Sequence, residues 1–394
     1  MSVPKPPRPP RPHHSTKPTT VSEECTDPDE VVIKEATPPK PTGPKRFPCG
    51  SCGADLEFKP GSDALKCPYC GHENAIPKSA EQIEELDFRA YLAKLSNSEQ
   101  TEEQTSLKCD ACGAEIDKPP DVEALACPFC GSNIVATAQS RRLITPRALL
   151  PFKIERGESR ARFKQWLRKL WFAPNAVKKF ARLEQPLHGV YVPYWTYDAD
   201  TTSHYTGMRG EHYYVTVGSG KNRRTVRRTR WYPASGVVWN RFNDVLVLAS
   251  KSLPSKYAER LTPWDLPQLV PYDDAYLSGF RAERYQIDLV EGFATARDIM
   301  ADVIRGTVRA DIGGDTQQIH SIKTQHDNLT FKHILLPVWI SAYRYRERIF
   351  RFLVNARTGE VQGERPYSWV KITLAVLGVL ALAAGVWWYF QVGR

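Results

Sequence analysis

Apolar positions change their spacing several times along this chain, and each change marks a different kind of segment. Over residues 1–47 they are sparse, and Pro, Lys, Thr and Glu predominate. Such a stretch buries too little surface to offset its ordering entropy, so a disordered segment is expected there. Pro4, Pro6, Pro7, Pro9, Pro10 and Pro12 with Arg8 and Arg11 could form a polyproline ligand for an aromatic groove, against the plainer reading of a solvated tether. From about 80 to 95, Ile83, Leu86, Tyr91, Leu92 and Leu95 fall at helical spacing, so 79–106 is read as a short amphipathic helix and a polar linker.

Residues 143–366 mix the helical and strand periods and predict one α+β, β-rich domain. Its parts recur in order. Pro151-Phe-Lys-Ile154 is strand-like, a helix follows from Ser159 to Trp171, and Val190-Tyr-Val-Pro-Tyr-Trp195 opens a strand pattern. The order then repeats with Tyr285-Gln-Ile-Asp-Leu289, a helix from Ala294 to Arg305, Leu335-Leu-Pro-Val-Trp339 and a strand from Ile340 to Tyr345. Strand, helix and a P-x-W strand in both halves predict an internal duplication. Ile312-Gly-Gly-Asp-Thr-Gln317 is expected to be a tight turn, and Asn355-Ala-Arg-Thr-Gly359 the turn of a hairpin.

The last apolar run has no period at all. Ile372 to Phe390 carries no charged residue, and its nineteen residues would span about 28 Å as a helix, close to the ~30 Å hydrocarbon core. Tyr367 and Trp369 flank one end, and Trp387, Trp388 and Tyr389 crowd the other, as at two membrane interfaces. A transmembrane helix is therefore expected over 370–390. Lys371 and Arg365 lie before it and only Arg394 beyond, so the positive-inside rule sets the N-terminal bulk in the cytoplasm. The expectation is a single-pass, tail-anchored protein of the cell inner membrane, with no secretory signal at its start. Ala381-x-x-x-Gly385 would let two such helices pack.

Eight of the nine cysteines stand in four C-x-x-C pairs, which is metal spacing. Cys49-x-x-Cys52 is followed after fourteen residues by Cys67-Pro-Tyr-Cys70-Gly71, and Cys109-x-x-Cys112 after fourteen by Cys127-Pro-Phe-Cys130-Gly131. Each cysteine of the second set lies sixty positions after its counterpart, and the flanking sequences match. Two such knuckles joined by a hairpin-length insert complete a tetrahedral four-thiolate site, so 48–78 and 107–137 are expected to be small β zinc ribbons. Four thiolates leave no open coordination position, which makes the metal structural. Zinc and iron both suit this donor set, and with no other sign of electron transfer two structural Zn2+ are expected. The thiol chemistry implies a reducing compartment, with Cys25 an incidental free thiol.

Charge adds one further feature. The net charge is +10 and the pI about 9.1, which favours nucleic acid or an anionic membrane surface as partner. Lys221, Arg223, Arg224, Arg227, Arg228 and Arg230 stand within ten positions, between the strand-like His212 to Val217 and Trp231-Tyr232. They predict a long hairpin with a basic tip or edge, able to bind phosphates of nucleic acid or lipid, or simply a solvated edge protected by charge. Gly218-Ser-Gly-Lys-Asn222 resembles the end of a P-loop, but Val215 stands where the first glycine belongs and Asn222 where a hydroxyl belongs. No metalloprotease, hydrolase or dinucleotide motif is present, and no small-molecule substrate is inferred.

On the ribbons, on Arg142-Leu-Ile-Thr-Pro146 to Trp171-Phe-Ala-Pro174, on Gly189-Val-Tyr-Val-Pro-Tyr-Trp-Thr-Tyr-Asp198, and on Leu336-Pro-Val-Trp339 through Gly363-Glu-Arg-Pro-Tyr-Ser368, the chain resembles a bacterial family of TFIIB-type zinc-ribbon membrane proteins. Its members are often labelled primosomal protein N′ or superfamily II helicase-like. The helicase label implies ATPase motifs that this sequence lacks. The sequence thus predicts a non-enzymatic, membrane-anchored binding or scaffold protein for an unknown protein partner, or a zinc-ribbon nucleic-acid binder without its own ATPase.

Overall fold

The computed structural model describes residues 47–77, 81–97, 102–117, 124–135, 138–174, 187–345, 348–364 and 367–392. The proline-rich segment up to residue 46, Cys25 and part of the linker before the second cysteine group lie outside the described residues. The longer helices are α1 (Phe88–Asn97), α2 (Arg156–Lys169), α3 (Leu289–Ile312) and α4 (Trp369–Val392). The main sheet is built on β1 (Ala148–Leu149), β2 (His188–Val217), β3 (Arg224–Leu248), β4 (Val270–Pro271), β5 (Arg281–Ala282), β6 (Thr316–Tyr345), β7 (Arg348–Asn355) and β8 (Val361–Gly363). The chain is β-rich, with two four-cysteine clusters and one C-terminal apolar helix.

Three of the strands are unusually long: β2 and β6 have 30 residues each and β3 has 25, against a usual length of about 5–6. The sheet runs β3–β2–β6–β1–β4, with β5 beside β2, and β7 then β8 beside β6. β2 and β6 are antiparallel and meet centrally at Val192↔Leu336. The two-residue strands β1 and β5 run parallel to the long strands, Leu149↔Leu335 and Tyr191↔Ala282.

Around Val192 and Leu336 the two halves make the same bonds in pairs. Leu150 N–H donates to Leu335 O at 3.0 Å, and Glu283 N–H to Tyr191 O at 2.9 Å. Trp339 Nε1 donates to Ile154 O at 2.8 Å, and Trp195 Nε1 to Ile287 O at 2.9 Å. Ala356 N–H donates to Pro337 O at 3.1 Å, and Ala249 N–H to Pro193 O at 3.0 Å. Each proline of the P-x-W motif lacks the ladder donor but keeps its acceptor in use.

Two segments expected as strands are irregular for a common reason. Lys153 and Ile154 both donate to Ala356 O, and Gln286 and Ile287 both donate to Ala249 O, so neither stretch can ladder with a neighbour. The pairing sits a few residues earlier, in β1 and β5. α3 is longer than the expected 294–305: Asp288 caps it by accepting from Val290 and Glu291 N–H at 2.9 and 2.7 Å, and Gly313, at φ +65°, ends it. Its buried stripe, Leu289, Gly292, Ala296, Met300, Ile304, Val308 and Ile312, lies along the sheet. Gly292 permits the close approach, since a Cβ there would lie 2.5 Å from Tyr197 Oη.

The helix expected from about 80 begins only at Phe88, because Asp87 accepts from Ala90 N–H at 2.6 Å and caps it there. Leu86–Asp87 instead pairs with Phe331 and Thr330 of β6. Close by, the buried Lys332 binds Asp244 at 2.8 Å and Glu85 at 3.0 Å, with Asp198 4.0 Å away. Burial raises the Asp198 carboxyl, and the Asp244 backbone N–H bonded to it opposes this. The cluster staples the 81–87 segment to the sheet.

Replacing Trp195 or Trp339 by Phe should destabilise the domain, each by about 1–3 kcal/mol, because either change removes the donor of a helix-entry carbonyl, buried at Ile154 and part-buried at Ile287. Urea melts of the two variants check this. A large cost for one and none for the other would break the equivalence of the two halves.

Candidate metal centres

Each C-x-x-C-G turn folds in the same way. Gly53, Gly71, Gly113 and Gly131 donate back to Cys49, Cys67, Cys109 and Cys127 O at 2.7–3.1 Å, and all four adopt φ between +73° and +75°. That left-handed conformation is why glycine follows each pair. The amide of each leading cysteine also bonds the carbonyl five residues on, which closes the knuckle.

The knuckles bring the predicted ligands together in two groups, Cys49, Cys52, Cys67 and Cys70, and Cys109, Cys112, Cys127 and Cys130. Within each group every Sγ lies within 4.8 Å of the others. The shortest separations are 3.5 Å for Cys49–Cys70 and Cys52–Cys67, and 3.6 Å for Cys109–Cys130 and Cys112–Cys127. Disulfides need about 2.05 Å. A tetrahedral ion with Zn–S bonds of about 2.3 Å sets its sulfurs about 3.8 Å apart, so both groups fit such an ion.

Electrostatics also calls for a cation. The amide of Cys70 and other donors hold the Cys67 thiol down at about 6. The amide of His72 pulls Cys70 the same way, but the neighbouring Cys49 and Cys67 outweigh it and push Cys70 up to about 12. In the second group the hydrogen bond from Cys127 lowers Cys112 to about 5 and raises Cys127 in turn. Four crowded thiols cannot all ionise without positive charge between them.

Each group draws on its own four cysteines, but neither unit stands apart from the domain. Leu56, Phe58, Leu65 and Ile76 of the first merge with Phe152, Tyr191, Tyr276 and Trp339 in one buried cluster. Phe58 N–H donates to Ser278 O at 3.0 Å, Ser278 Oγ to Leu56 O at 2.5 Å, and Gly61 N–H to Phe152 O at 2.9 Å. Leu107, Ile116 and Phe129 of the second pack with Val190, Val192 and Leu336. Arg284 N–H donates to Glu115 O at 3.1 Å, Gln286 Nε2 to Gly113 O at 2.8 Å, and Arg281 Nη1 to Ala126 O at 3.0 Å. Both ribbons thus bind one stretch of the domain, around β5.

Beside the second group sits a buried carboxyl that the sequence did not single out. Glu283 Oε1 accepts from Ser250 at 2.9 Å and from Ser252, while Oε2 has no partner among the described residues. Burial raises its carboxyl to about 8. His333 is buried likewise and held down at about 4 by desolvation. A lone Glu in a sequence is taken for surface, so no signal marked this one.

The basic residues lie elsewhere. Lys221 is in the turn between β2 and β3, and its side chain is outside the described residues; Arg223 precedes β3, and Arg224, Arg227, Arg228 and Arg230 are on it. No hydrogen bond or ion pair joins the arginines to either cysteine group among the described residues. Gly218 to Asn222 has strand on both sides and no following helix of P-loop kind.

Comparison with known proteins places few constraints on this arrangement. No family model matches the chain. It is similar to the uncharacterized protein YdjG of Bacillus subtilis (strain 168), with 24% identity over 336 residues, covering 84% of this chain and 93% of that protein. No solved structure matches.

Cys67→Ser should leave one metal ion per chain and also lower the thermal stability of the whole domain, because the first ribbon's apolar residues are part of the domain core. Metal analysis with a calorimetric scan checks both; loss of the ion with an unchanged domain melt would show a detachable ribbon. Glu283→Gln tests the buried carboxyl. Its pKa in the fold exceeds the unfolded value, so the native state holds the extra proton and wild-type stability falls as pH rises from about 4.5 through about 8. The variant should match wild type near pH 5 and melt higher than wild type near pH 8.5; parallel pH profiles would contradict the assignment.

Proposed function

We propose that this chain is a non-enzymatic scaffold with two structural zinc ions, held at the cytosolic face of a membrane by α4. The observation that carries the reading is the contrast between α4 and the rest. Trp369–Gln391 has a mean hydropathy of 2.1, and none of that window is buried against the body. An all-round apolar helix with no protein cover needs another apolar medium, and its length suits a bilayer. Lys371 bonds Trp171 and Ala173 O at 3.4 and 2.8 Å at the entry to the helix, with Arg365 close in sequence, which favours the cytosol on that side.

Zinc is read as the metal because four thiolates fill every position and nothing else in the sequence points to the electron transfer that iron in the same donor set would serve. A closed site serves folding and shape rather than chemistry. The paired bonds around Val192 and Leu336 support reading the domain as an internal duplication. The same cysteine and P-x-W segments support placing the chain with the TFIIB-type zinc-ribbon membrane proteins it resembles.

Deleting residues 369–394 should move the protein from the membrane pellet to the soluble fraction while it keeps two zinc ions. Retention in the pellet after a high-salt wash would defeat the anchor, and iron or a single ion in the purified protein would defeat the zinc assignment.

A further inference from the structure

The sheet does not end where the body ends. β2 and β3 stay paired as far as Val217↔Arg224, whereas β6 begins only at Thr316, opposite Gly210. Residues 211–217 and 224–230 are therefore a two-stranded ribbon standing beyond every other described element. Strand alternation sorts its side chains. Arg224, Arg228 and Arg230 lie with Tyr213 on the face that α3 covers lower down, and Arg227 lies with Tyr214 and His212 on the other.

This distribution is costly for a free surface. Arginines two residues apart on one face repel one another, and Glu211 is the only carboxylate within 211–230, where it binds Arg209 at 2.8 Å. No ion pair holds Arg224, Arg227 or Arg228 among the described residues. Arg230 lies over the Tyr213 ring at 5.3 Å, and Tyr214 is 70% exposed. Charge that protects an edge from aggregation needs only one edge; here both faces carry it, together with exposed aromatic rings.

We infer that this ribbon is a binding element for the phosphate backbone of duplex DNA, entering the major groove. That groove admits a two-stranded β-ribbon, and a ribbon with arginine on both faces meets phosphates on both walls. The anchoring helix argues against lipid, a step that rests on the proposed membrane anchoring. β7 runs antiparallel to β6, β8 antiparallel to β7, and Glu364 N–H bonds Arg351 O at the level of Ala342. The chain then reaches α4, with Ser368 N–H on Phe172 O. Between Ala342 and Thr316 lies about 85 Å of strand, and the ribbon continues beyond Thr316. The arginines thus stand at the opposite end of the sheet from the membrane entry.

The test is fluorescence anisotropy of a labelled duplex of about 20 base pairs with the full chain in neutral detergent, between about 50 and 200 mM salt. Wild type should bind with a log–log salt slope of about −4, for four or five phosphate contacts. Joint replacement Arg224→Gln, Arg227→Gln, Arg228→Gln and Arg230→Gln should weaken binding about a hundredfold at the lowest salt. The four Arg→Lys changes should keep the slope, which separates lost charge from lost fold. No salt-dependent binding by wild type, or unchanged binding by the Gln variant, overturns the inference. So does displacement of the duplex by phosphatidylglycerol micelles at equal phosphate. The assay runs in detergent and does not need the anchor, so failure of the membrane reading shows separately, in the fractionation.

Discussion

A buried tryptophan N–H has one bond to give, and losing it strands both donor and acceptor. In this domain Trp195 and Trp339 each spend that bond on the carbonyl just ahead of a helix, Ile287 O before α3 and Ile154 O before α2. The bond fixes where each helix leaves the sheet. It also holds in place the residues after β1 and β5, strands of two residues that could not persist alone. Because β2 and β6 cross at Val192 and Leu336, the tryptophan of each half reaches the helix entry of the other.

The ribbons depend on the same seam. The stretch through Ser278, Arg281, Arg284 and Gln286 offers backbone and side-chain groups that the domain leaves open, and the ribbons take them through Leu56, Phe58, Ala126, Glu115 and Gly113. Buried polar groups must be matched, so a ribbon that loses its shape withdraws bonds from the domain as well as its own core. The knuckles keep that shape only while four thiols tolerate one another, which a cation bound between them would allow. Such an ion would thereby bear on the stability of the whole body.

Much of this was legible in the sequence where a pattern repeats. The eight cysteines at a sixty-residue offset mark the two four-thiol clusters, the paired P-x-W segments the matching bonds around Val192 and Leu336, and the uncharged run from Ile372 the C-terminal apolar helix. What escaped depends on contacts made far along the chain. Ile83 and Leu86 have helical spacing with Tyr91, yet Asp87 caps the helix between them and Leu86 joins β6. Residues 151–154 and 285–289 have strand composition, yet single carbonyls of Ala356 and Ala249 take their amides in pairs. Lys332 and Glu283 are titratable side chains that only the assembled sheet buries. The ribbons' apolar residues are few for each ribbon's own size because their partners are Phe152, Tyr276, Val190 and Leu336 of the domain.

The long hairpin gains its meaning from what stiffens it. A two-stranded ribbon alone is marginal in water, but this one grows from three strands backed by α3. Tyr205 Oη donates to Asp311 Oδ2 at 2.5 Å, Asn240 Nδ2 to Thr307 Oγ1 at 2.8 Å, and Val238 packs with Ile304, Val308 and Ile312. Support stops where Gly313 and Gly314, both left-handed, turn the chain from helix to β6, and Asp315 there accepts from His212 N–H at 2.6 Å. The arginines begin just past that point. A flexible loop of the same composition would sweep through a wide range of positions. A braced sheet instead holds its tip at a set distance from the body, so the helix backing the arm fixes where the arginines are presented.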